Sequence, residues 1–470
     1  MKWGAFALLW FAPALFAGSQ AIGSHAAVAT SNRFATQAGL EILRGGGNAA
    51  DAAVAVAFAL GIAEPQTASI GGGGTLLYYD AKTDAVWSLD FRENAPAGLT
   101  GTAPRAGVLG IGVPSTVAGM NELHRRFGSR SWKDLLTPAM RAADGDLAKA
   151  LRLIATSGAH AFYDGPIAAR MVEEVRKLNG VLSLHDLSDY KPMWRSPIEV
   201  AAGEYKIVAP GPPSAGGTML AEMLSIAGRE LDPTDVHIFA EIERRAAYDR
   251  DRFFADNGSV EYHEILSAEH AKQWRSSIDP SRATPSVSLG EPVKAIAQGV
   301  HTTHFTIVDA TGNVAAVTLS LDDTNGSGFT VPGYGFVLND AARNAARAGD
   351  RIPSSMTPAI VLHETKPVLA LGSSGGAMTP AIVLQVVLAV AQGKSLNDAV
   401  EAPRFDQQAT PDDVTYENRR TPPGILNRLN SLGHGVRAVE SIGDVNAVLI
   451  EHGRLTAVSD SRHNGVAGAM

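Results

Sequence analysis

TTHFTIVDATGNVAAVTL is the sequence from Thr302 to Leu319, and it consists of two apolar segments around a short polar turn. Thr303 to Asp309 and Val314 to Leu319 have the pattern of β-strands, and the Gly-Asn pair between them suits a hairpin turn. Other strand patterns alternate along the chain with apolar helical patterns, such as the helix predicted over Pro380 to Gln392. The chain is therefore predicted to form one composite sheet-based domain rather than separate modules.

The composition excludes several kinds of site. The 470 residues include 48 glycines and no cysteine, which rules out disulfides, thiolate metal sites and a cysteine nucleophile. Hydrophobic residues make up 45% of the chain and charged residues 19%, as in packed globular proteins. A net charge of −8 without a basic run argues against binding to nucleic acid.

Two helical stretches are expected to lie in different environments. Ala49 to Ala63 is apolar apart from Asp51, and its small residues favour a buried helix packed closely against a sheet. Val236 to Phe254 carries charged residues throughout, so we expect a long helix with mostly solvated side chains.

The N-terminus has the pattern of a secretory signal peptide over residues 1–26. Lys2 precedes an apolar stretch from Gly4 to Ala17, and small residues follow as far as Ala26. The apolar stretch is shorter than the roughly 20 residues that span a membrane. We therefore expect a periplasmic or secreted protein without stable membrane insertion.

Two hydroxyl side chains are candidate nucleophiles. Gly372 to Gly376 fits the G-x-S-x-G pattern of a serine-hydrolase elbow around Ser374, between a predicted strand and a predicted helix. Thr302 follows His301 at the start of the predicted hairpin, and a threonine becomes nucleophilic when chain cleavage frees its own α-amine as the base. The local patterns leave both possibilities open.

A series of segments resembles the γ-glutamyltranspeptidase family, in the same order and over nearly the whole mature chain. They are LRGGGNAADAAVAVAFAL (Leu43 to Leu60), EPQTASIGGGG (Glu64 to Gly74), LDFRENAP (Leu89 to Pro96), PSAGG (Pro213 to Gly217), TTHFTIVDATGNVAAVT (Thr302 to Thr318), GSGF (Gly326 to Phe329), PSSMTPAIV (Pro353 to Val361), GSSGG (Gly372 to Gly376) and EAPRFDQQ (Glu401 to Gln408).

The resemblance implies a fold and a maturation step. The family belongs to the N-terminal-nucleophile hydrolases, so we expect an α+β fold, a four-layer αββα sandwich built from two subunits of one cleaved precursor. Cleavage between His301 and Thr302 would give a large subunit, residues 27–301, and a small subunit, residues 302–470. The two would stay together as a heterodimer that forms one composite domain.

The resemblance also assigns catalytic roles. Thr302 would be the nucleophile, and its new α-amine would move the proton. Gly375 and Gly376 would offer backbone N–H groups to the oxyanion, which makes Ser374 a neighbour of the oxyanion hole. Ser320 stands where the family usually has a threonine hydroxyl that assists the nucleophile.

Arg92, Ser354 and Ser355 match the residues that bind the α-carboxylate of the substrate in this family. A guanidinium is well suited to this role because it donates two parallel hydrogen bonds to a carboxylate. No cofactor is expected. His301 and His304 have no third ligand at a suitable spacing, so no metal site is expected either.

The segment that recognises the α-ammonium group in this family differs in this chain. The family's glutamine falls on Ala341 and its aspartate on Asn344, while Asp322 replaces its asparagine. Hydrogen bonds to charged groups contribute about 1.5 to 3 kcal/mol each. Losing two of them weakens ammonium binding, unless Asp322 or Asp340 compensates.

The expected function is hydrolysis or transfer of a γ-glutamyl group from glutathione or γ-glutamyl peptides through an ester on Thr302. The altered ammonium site leaves a glutaryl or cephalosporin-type amide acylase as the alternative. Only Ala345 to Ile352 separates the substrate segment from Pro353, which predicts an open cleft where water competes with amino acceptors. A serine hydrolase that uses Ser374 and a non-catalytic periplasmic binding protein are further alternatives.

Overall fold

The structure is a computed structural model that describes residues 18–101, 106–228, 234–255, 262–291, 299 and 301–470. These residues form two large sheets and a small one. Sheet I consists, in spatial order, of β17 (Val466–Ala469), β2 (Ala27–Thr30), β8 (Thr302–Val308), β9 (Val314–Ser320), β3 (Gly73–Asp80), β4 (Ala85–Phe91) and β5 (Met193–Arg195). Sheet II consists of β1 (Ser19–Gly23), β16 (Arg454–Ser459), β15 (Val445–Glu451), β11 (Lys366–Ser373), β10 (Ala359–His363), β7 (Tyr205–Ala209) and β6 (Ile198–Ala202). The small sheet consists of β12 (Phe405–Gln407), β13 (Asp413–Glu417) and β14 (Gly435–Val439).

Helices connect and cover the sheets. In the described part of the chain they are α1 (Arg33–Arg44), α2 (Ala49–Ala63), α3 (Thr116–Phe127), α4 (Trp132–Ala142), α5 (Gly145–Ser157), α6 (His160–Tyr163), α7 (Pro166–Lys177), α8 (Leu184–Asp189), α9 (Ala215–Ala227), α10 (Val236–Ala255), α11 (Tyr262–Ile265), α12 (Ala268–Ser276), α13 (Thr379–Ala391), α14 (Leu396–Glu401) and α15 (Pro423–Ser431). Among the described residues, no helix combines the length and the apolar character needed to cross a membrane.

The predicted hairpin is confirmed as β8 and β9, which pair antiparallel with Thr302 opposite Ser320. Asp309 organises the turn between them, because its Oδ1 accepts the backbone N–H groups of Thr311 and Asn313 at 2.8 and 3.0 Å. Both strands are buried along their whole length. The hairpin therefore lies in the interior of sheet I, and it carries Thr302 at its open end.

Sheets I and II pack face to face through small apolar side chains. A second apolar cluster joins the other face of sheet I to α1, α2 and α3, and a third joins the other face of sheet II to α9, α10 and α13. The cluster between the sheets contains Ala29, Leu77, Val308 and Ala316 of sheet I and Val208, Ile360, Ala370 and Val448 of sheet II.

The two helical predictions have different outcomes. Ala49–Ala63 forms the buried helix α2, as predicted. The charged stretch forms helix α10, but the prediction of mostly solvated charges is wrong, because Glu241, Arg244 and Arg245 are buried. Glu241 accepts hydrogen bonds from both arginines, and opposite charges that satisfy one another can be buried together.

The N-terminal strand differs from the predicted end of the leader. Residues 1–17 of the predicted signal peptide, 1–26, lie outside the described part of the chain. Ser19–Gly23 form β1, which pairs antiparallel with β16. Ser24 and His25 donate their backbone N–H groups to the carbonyl oxygen of Met470 at 2.9 and 2.8 Å. The folded body therefore begins before Ala26, the predicted end of the leader.

Candidate active site

One side-chain hydroxyl group connects Thr302 through hydrogen bonds to the carbonyl group of the preceding residue. Its Oγ1 donates a hydrogen bond to Ser320 Oγ at 3.2 Å, and Ser320 Oγ donates to the carbonyl oxygen of His301 at 3.1 Å. The backbone N–H of Asp322 donates to the same Ser320 Oγ at 2.9 Å, which fixes that hydroxyl in place. The side chain opposite Thr302 in the hairpin thus contacts both the candidate nucleophile and the peptide bond before it.

Five of the predicted site residues line one small pocket. Thr302 and Ser320 lie on β8 and β9, and Ser354 lies on the segment that leads into β10. The complete lining is Gly299, Thr302, Ser320, Asp322, Pro353, Ser354, Met356, Gly376 and Thr379. Sequence positions as far apart as 299 and 379 therefore meet around the hydroxyl of Thr302.

Gly375 and Gly376 follow the end of β11 in conformations that favour glycine. Their φ angles are 125° and 58°, and side chains are strained in this region. Met378 donates its backbone N–H to the carbonyl oxygen of Gly375 at 3.1 Å, which closes the turn before α13. Gly376 lies on the wall of the Thr302 pocket.

Arg92 lies just after β4 between two carboxyl groups. It is 4% exposed, and its guanidinium lies 2.9 Å from Glu93 Oε2 and 3.7 Å from Asp322 Oδ1. Burial raises the pKa of Glu93 to about 7, although the charge of Arg92 opposes that rise. Arg92 also lines an adjoining pocket that shares Ser354 with the Thr302 pocket. The arginine is therefore close to the candidate nucleophile, with a buried partner whose charge changes near neutral pH.

Asp322 is the acidic residue of the Thr302 pocket wall, and a second arginine holds it. Its Oδ2 accepts a hydrogen bond from Arg343 Nε at 3.1 Å. Arg343 also lies 2.7 Å from Asp323 and 3.4 Å from Asp340. Burial raises the pKa of Asp322, and the charges of Arg92 and Arg343 oppose that rise. Sequence reasoning considered the neighbours of Arg343 but missed Arg343 itself.

Ser354 and Ser355 are held against the turn before α9. The carbonyl oxygen of Ser354 accepts the backbone N–H groups of Ala215 and Gly216, both at 3.1 Å. A Cβ on Gly216 would lie 2.4 Å from the carbonyl oxygen of Ser355, so a larger residue would force the two segments apart. The side chain of Asn344, another predicted site residue, lies outside the described part of the structure.

Ser374 lies behind the glycine turn, in contact with backbone. Its Oγ accepts the N–H of Asp444 at 3.0 Å, and its own N–H donates to the Asp444 carbonyl at 3.1 Å. His463 pairs with the Asp444 carboxylate at 3.5 Å, and this contact raises the pKa of His463 to about 9. Among the described residues, no hydrogen bond joins a histidine ring to the Ser374 hydroxyl.

His304 is a core residue rather than part of the pocket wall. Its ring nitrogens pair with Thr318 Oγ1 at 2.9 Å and Thr306 Oγ1 at 3.0 Å, and burial lowers its pKa to about 3. Two groups of possible metal ligands lie elsewhere in the described structure, and their members already have hydrogen-bond or ion-pair partners in the protein. They are His237, Glu241 and His434, and Glu222, Asp249 and His270.

Comparisons with known proteins agree with this fold and with the family resemblance. The glutathione hydrolase proenzyme of Bacillus subtilis strain 168 is 31% identical over 547 residues, covering 95% of this chain and 92% of the relative. The glutathione hydrolase proenzyme of Pseudomonas aeruginosa is 31% identical over 528 residues, covering 94% of each chain. The crystal structure of a cephalosporin acylase from Bacillus halodurans has the same fold, with a TM-score of 0.88 at 24% identity over 100% of this chain and 99% of the other. The Helicobacter pylori γ-glutamyltranspeptidase structure is 31% identical, with a TM-score of 0.52 over 56% of this chain and 94% of the other.

The fold and the relatives place the chain among the N-terminal-nucleophile hydrolases, a superfamily of enzymes. The family model described as gamma-glutamyltranspeptidase matches residues 35–145 and 144–470. The chain belongs to the γ-glutamyltranspeptidase family.

Proposed function

We propose that this protein is a self-processing amidohydrolase that cleaves γ-glutamyl-type amide bonds through an ester on Thr302. The observation that carries the proposal is the bridge from Thr302 Oγ1 through Ser320 Oγ to the His301 carbonyl, at 3.2 and 3.1 Å. The two relatives named glutathione hydrolase support γ-glutamyl as the acyl group that is transferred. Glutathione and γ-glutamyl peptides are therefore the expected substrates.

The same bridge supports processing of the precursor. Thr302 Oγ1 attacks the carbonyl carbon of His301, while the Ser320 hydroxyl donates to the carbonyl oxygen as it gains negative charge. The C–N bond breaks, and the amide nitrogen takes up the proton that Thr302 Oγ1 has lost and becomes the free α-amine of Thr302. Water then hydrolyses the His301 ester, leaving a large subunit that ends at His301 and a small subunit, residues 302–470, in one four-layer αββα sandwich.

Turnover uses the same hydroxyl with the new amine as its base. The amine takes the proton of Thr302 Oγ1 as the oxygen attacks the substrate amide, and it returns the proton to the leaving amine. Backbone N–H groups of Gly375 and Gly376 stabilise the oxyanion, and Ser320 orients the nucleophile. Water or an amino acceptor then releases the acyl group from Thr302.

Substrate binding rests on the carboxylate of the acyl group. The Arg92 guanidinium and the hydroxyls of Ser354 and its neighbour Ser355 bind that carboxylate. Arg92 and Ser354 line the pocket that adjoins the Thr302 pocket. A glutaryl group carries the same carboxylate as a γ-glutamyl group and lacks only the α-ammonium. A glutaryl-type amide acylase is therefore the second candidate, and the pairing of Asp322 with Arg343 favours it. The short segment Ala345 to Ile352 supports an open cleft, which would favour hydrolysis over transfer, and the leader-like N-terminus supports a periplasmic or secreted enzyme.

The experiment compares Thr302→Ala with Ser374→Ala. Denaturing electrophoresis of the purified wild type should show two fragments, and hydrolysis of γ-glutamyl and glutaryl anilides should be measurable. Thr302→Ala should remain one chain without activity, because it lacks the attacking oxygen. Ser374→Ala serves as the matched control and should still be cleaved and active, with at most a modest loss. A wild type that stays intact, or activity that depends on Ser374 alone, contradicts the proposal.

A further inference from the structure

The Thr302 pocket contains a carboxylate that is already paired with arginine side chains of the protein. Asp322 is the acidic residue among the described residues that line this pocket. Its Oδ2 accepts a hydrogen bond from Arg343 Nε at 3.1 Å, and its Oδ1 lies 3.7 Å from the Arg92 guanidinium. Each oxygen therefore faces a guanidinium inside the protein.

The surroundings hold Arg343 in that position. Its guanidinium also contacts Asp323 at 2.7 Å and Asp340 at 3.4 Å, and its side chain is 21% exposed. Asp322 itself has a φ angle of 77°, so its backbone is held in a conformation that few residues other than glycine adopt. An arginine tied to three carboxylates does not leave Asp322 without breaking several ion pairs.

This arrangement has opposite consequences for a carboxylate and for an ammonium group of a substrate. A substrate carboxylate finds the Arg92 guanidinium and the Ser354 hydroxyl beside the pocket. A substrate ammonium group has to share the Asp322 carboxylate with two guanidiniums of the same sign as itself. Like charges at short distance in a poorly hydrated site disfavour binding of the second cation.

We infer that Arg343 is a specificity-determining residue that adapts the Thr302 pocket to ω-carboxyacyl amides without an α-ammonium group, such as glutaryl amides. Arg343 acts by occupying Asp322 Oδ2, the acceptor that would otherwise bind the ammonium. The inference rests on the proposed amidohydrolase function and names the acyl class that the enzyme prefers.

The experiment compares glutaryl and γ-glutamyl p-nitroanilides on the processed enzyme, because the two substrates differ only in the α-ammonium. The wild type should cleave the glutaryl anilide with a kcat/KM at least about tenfold higher. Arg343→Gln removes the guanidinium from Asp322 Oδ2, so kcat/KM for the γ-glutamyl anilide should rise through a lower KM, and the preference should shrink by about tenfold. A residue with a merely structural role would lower both activities together.

Arg347→Gln is the matched control, because it removes an exposed arginine from the same segment that pairs only with Asp350 among the described ion pairs. The preference of this variant should equal that of the wild type. If Arg343→Gln does not fold, inhibition of the wild type by the free acids supplies the answer. Glutarate should then inhibit at least about tenfold more strongly than L-glutamate.

The outcomes separate the inference from the function on which it rests. A tenfold preference of the wild type for the γ-glutamyl anilide, or an unchanged ratio in folded Arg343→Gln, overturns the role of Arg343 and leaves the amidohydrolase function standing. Equal inhibition by glutarate and glutamate also overturns it. A processed enzyme that cleaves neither anilide overturns the proposed function itself.

Discussion

Arg92 lies between two buried carboxyl groups, and these carboxyl groups set the net charge around its guanidinium. Glu93 approaches its guanidinium at 2.9 Å and Asp322 at 3.7 Å. Burial raises the pKa of both acids above their usual range, and for Glu93 the pKa reaches about 7. Arg92 therefore faces a neutral Glu93 below pH 7 and an anionic Glu93 above it.

The protonation of Glu93 should make substrate binding depend on pH. Ionised Glu93 competes with the substrate carboxylate for Arg92, so KM should rise about three- to tenfold between about pH 6 and about pH 8. The other charged groups that face Glu93 are Asp322 and Arg351, and Arg351 favours its ionised form. The measurement is KM for the glutaryl anilide across this pH range.

Glu93→Gln should abolish this rise in KM, because the glutamine carries no charge at any pH. Glu173→Gln is a suitable control, since Glu173 is an exposed residue of α7 that pairs with Arg170 and Lys177. The free energy of unfolding of the wild type should also depend on the protonation of Glu93. A carboxyl whose folded pKa is raised from 4.5 to about 7 stabilises the fold below pH 4.5, and this contribution is lost as pH rises through 7. An equal rise of KM in Glu93→Gln would show that another group is responsible.

The start of α2 shows how an element is held in place by one buried acid. Asp51 is fully buried, and its carboxylate accepts four hydrogen bonds. Oδ1 accepts from the backbone N–H groups of Ser129 and Arg130 at 2.9 and 3.2 Å. Oδ2 accepts from the N–H of Asn48 at 3.0 Å and from Ser129 Oγ at 2.6 Å. Asn48 Oδ1 accepts from the N–H of Asp51 in return, which completes a capping box.

Replacing Asp51 should therefore destabilise the protein more than replacing an ordinary first-turn acid. Asp51→Ala leaves several buried donors without acceptors and should lower the free energy of unfolding by about 2 to 4 kcal/mol. Asp134 lies in the first turn of α4 with an exposed side chain, so Asp134→Ala should change stability by less than about 0.5 kcal/mol. Urea unfolding followed by circular dichroism measures the free energy of unfolding of both variants. Equal losses in the two variants would show that the buried Asp51 stabilises the protein no more than an exposed first-turn acid does.

The whole molecule is built from strands on both sides of the expected cleavage point. In sheet I, β2 pairs with β8, β3 with β9, and β2 with β17. In sheet II, β1 pairs with β16, and β7 with β10. Every one of these pairs joins a strand before Thr302 to a strand after it. The two pieces therefore share both sheets and the apolar cluster between them.

Cleavage before Thr302 should leave the molecule in one piece under native conditions. Separating the fragments would expose paired strand edges and the core of both sheets, which is costly in water. The fragments of the wild type should co-elute in size-exclusion chromatography at the volume of uncleaved Thr302→Ala, and they should separate only in denaturant. Fragments that elute separately in native buffer would contradict this shared architecture.

Features that depend on local sequence could be predicted from the sequence. The alternating apolar pattern of 302–319 is enough for the hairpin, because strand pairing and a short turn are local. The small residues of Ala49–Ala63 are enough for a buried helix. Motif resemblance identified the candidate nucleophile Thr302 and three candidate substrate-binding residues, Arg92, Ser354 and Ser355, and all of these roles stay predictions.

Only the tertiary structure decided which charges neutralise one another. Arg343 and Asp322 are far enough apart in sequence that no local pattern pairs them, yet they meet at 3.1 Å beside Thr302. The charges of α10 look solvated in the sequence, and the fold buries them because Glu241 and its two arginines satisfy one another. The sequence thus determined the elements, because their signals are periodic and local, whereas the candidate nucleophile came from the family resemblance. The fold decided the electrostatics of the pocket, because the energy of a buried charge depends on the partners that distant segments bring to it.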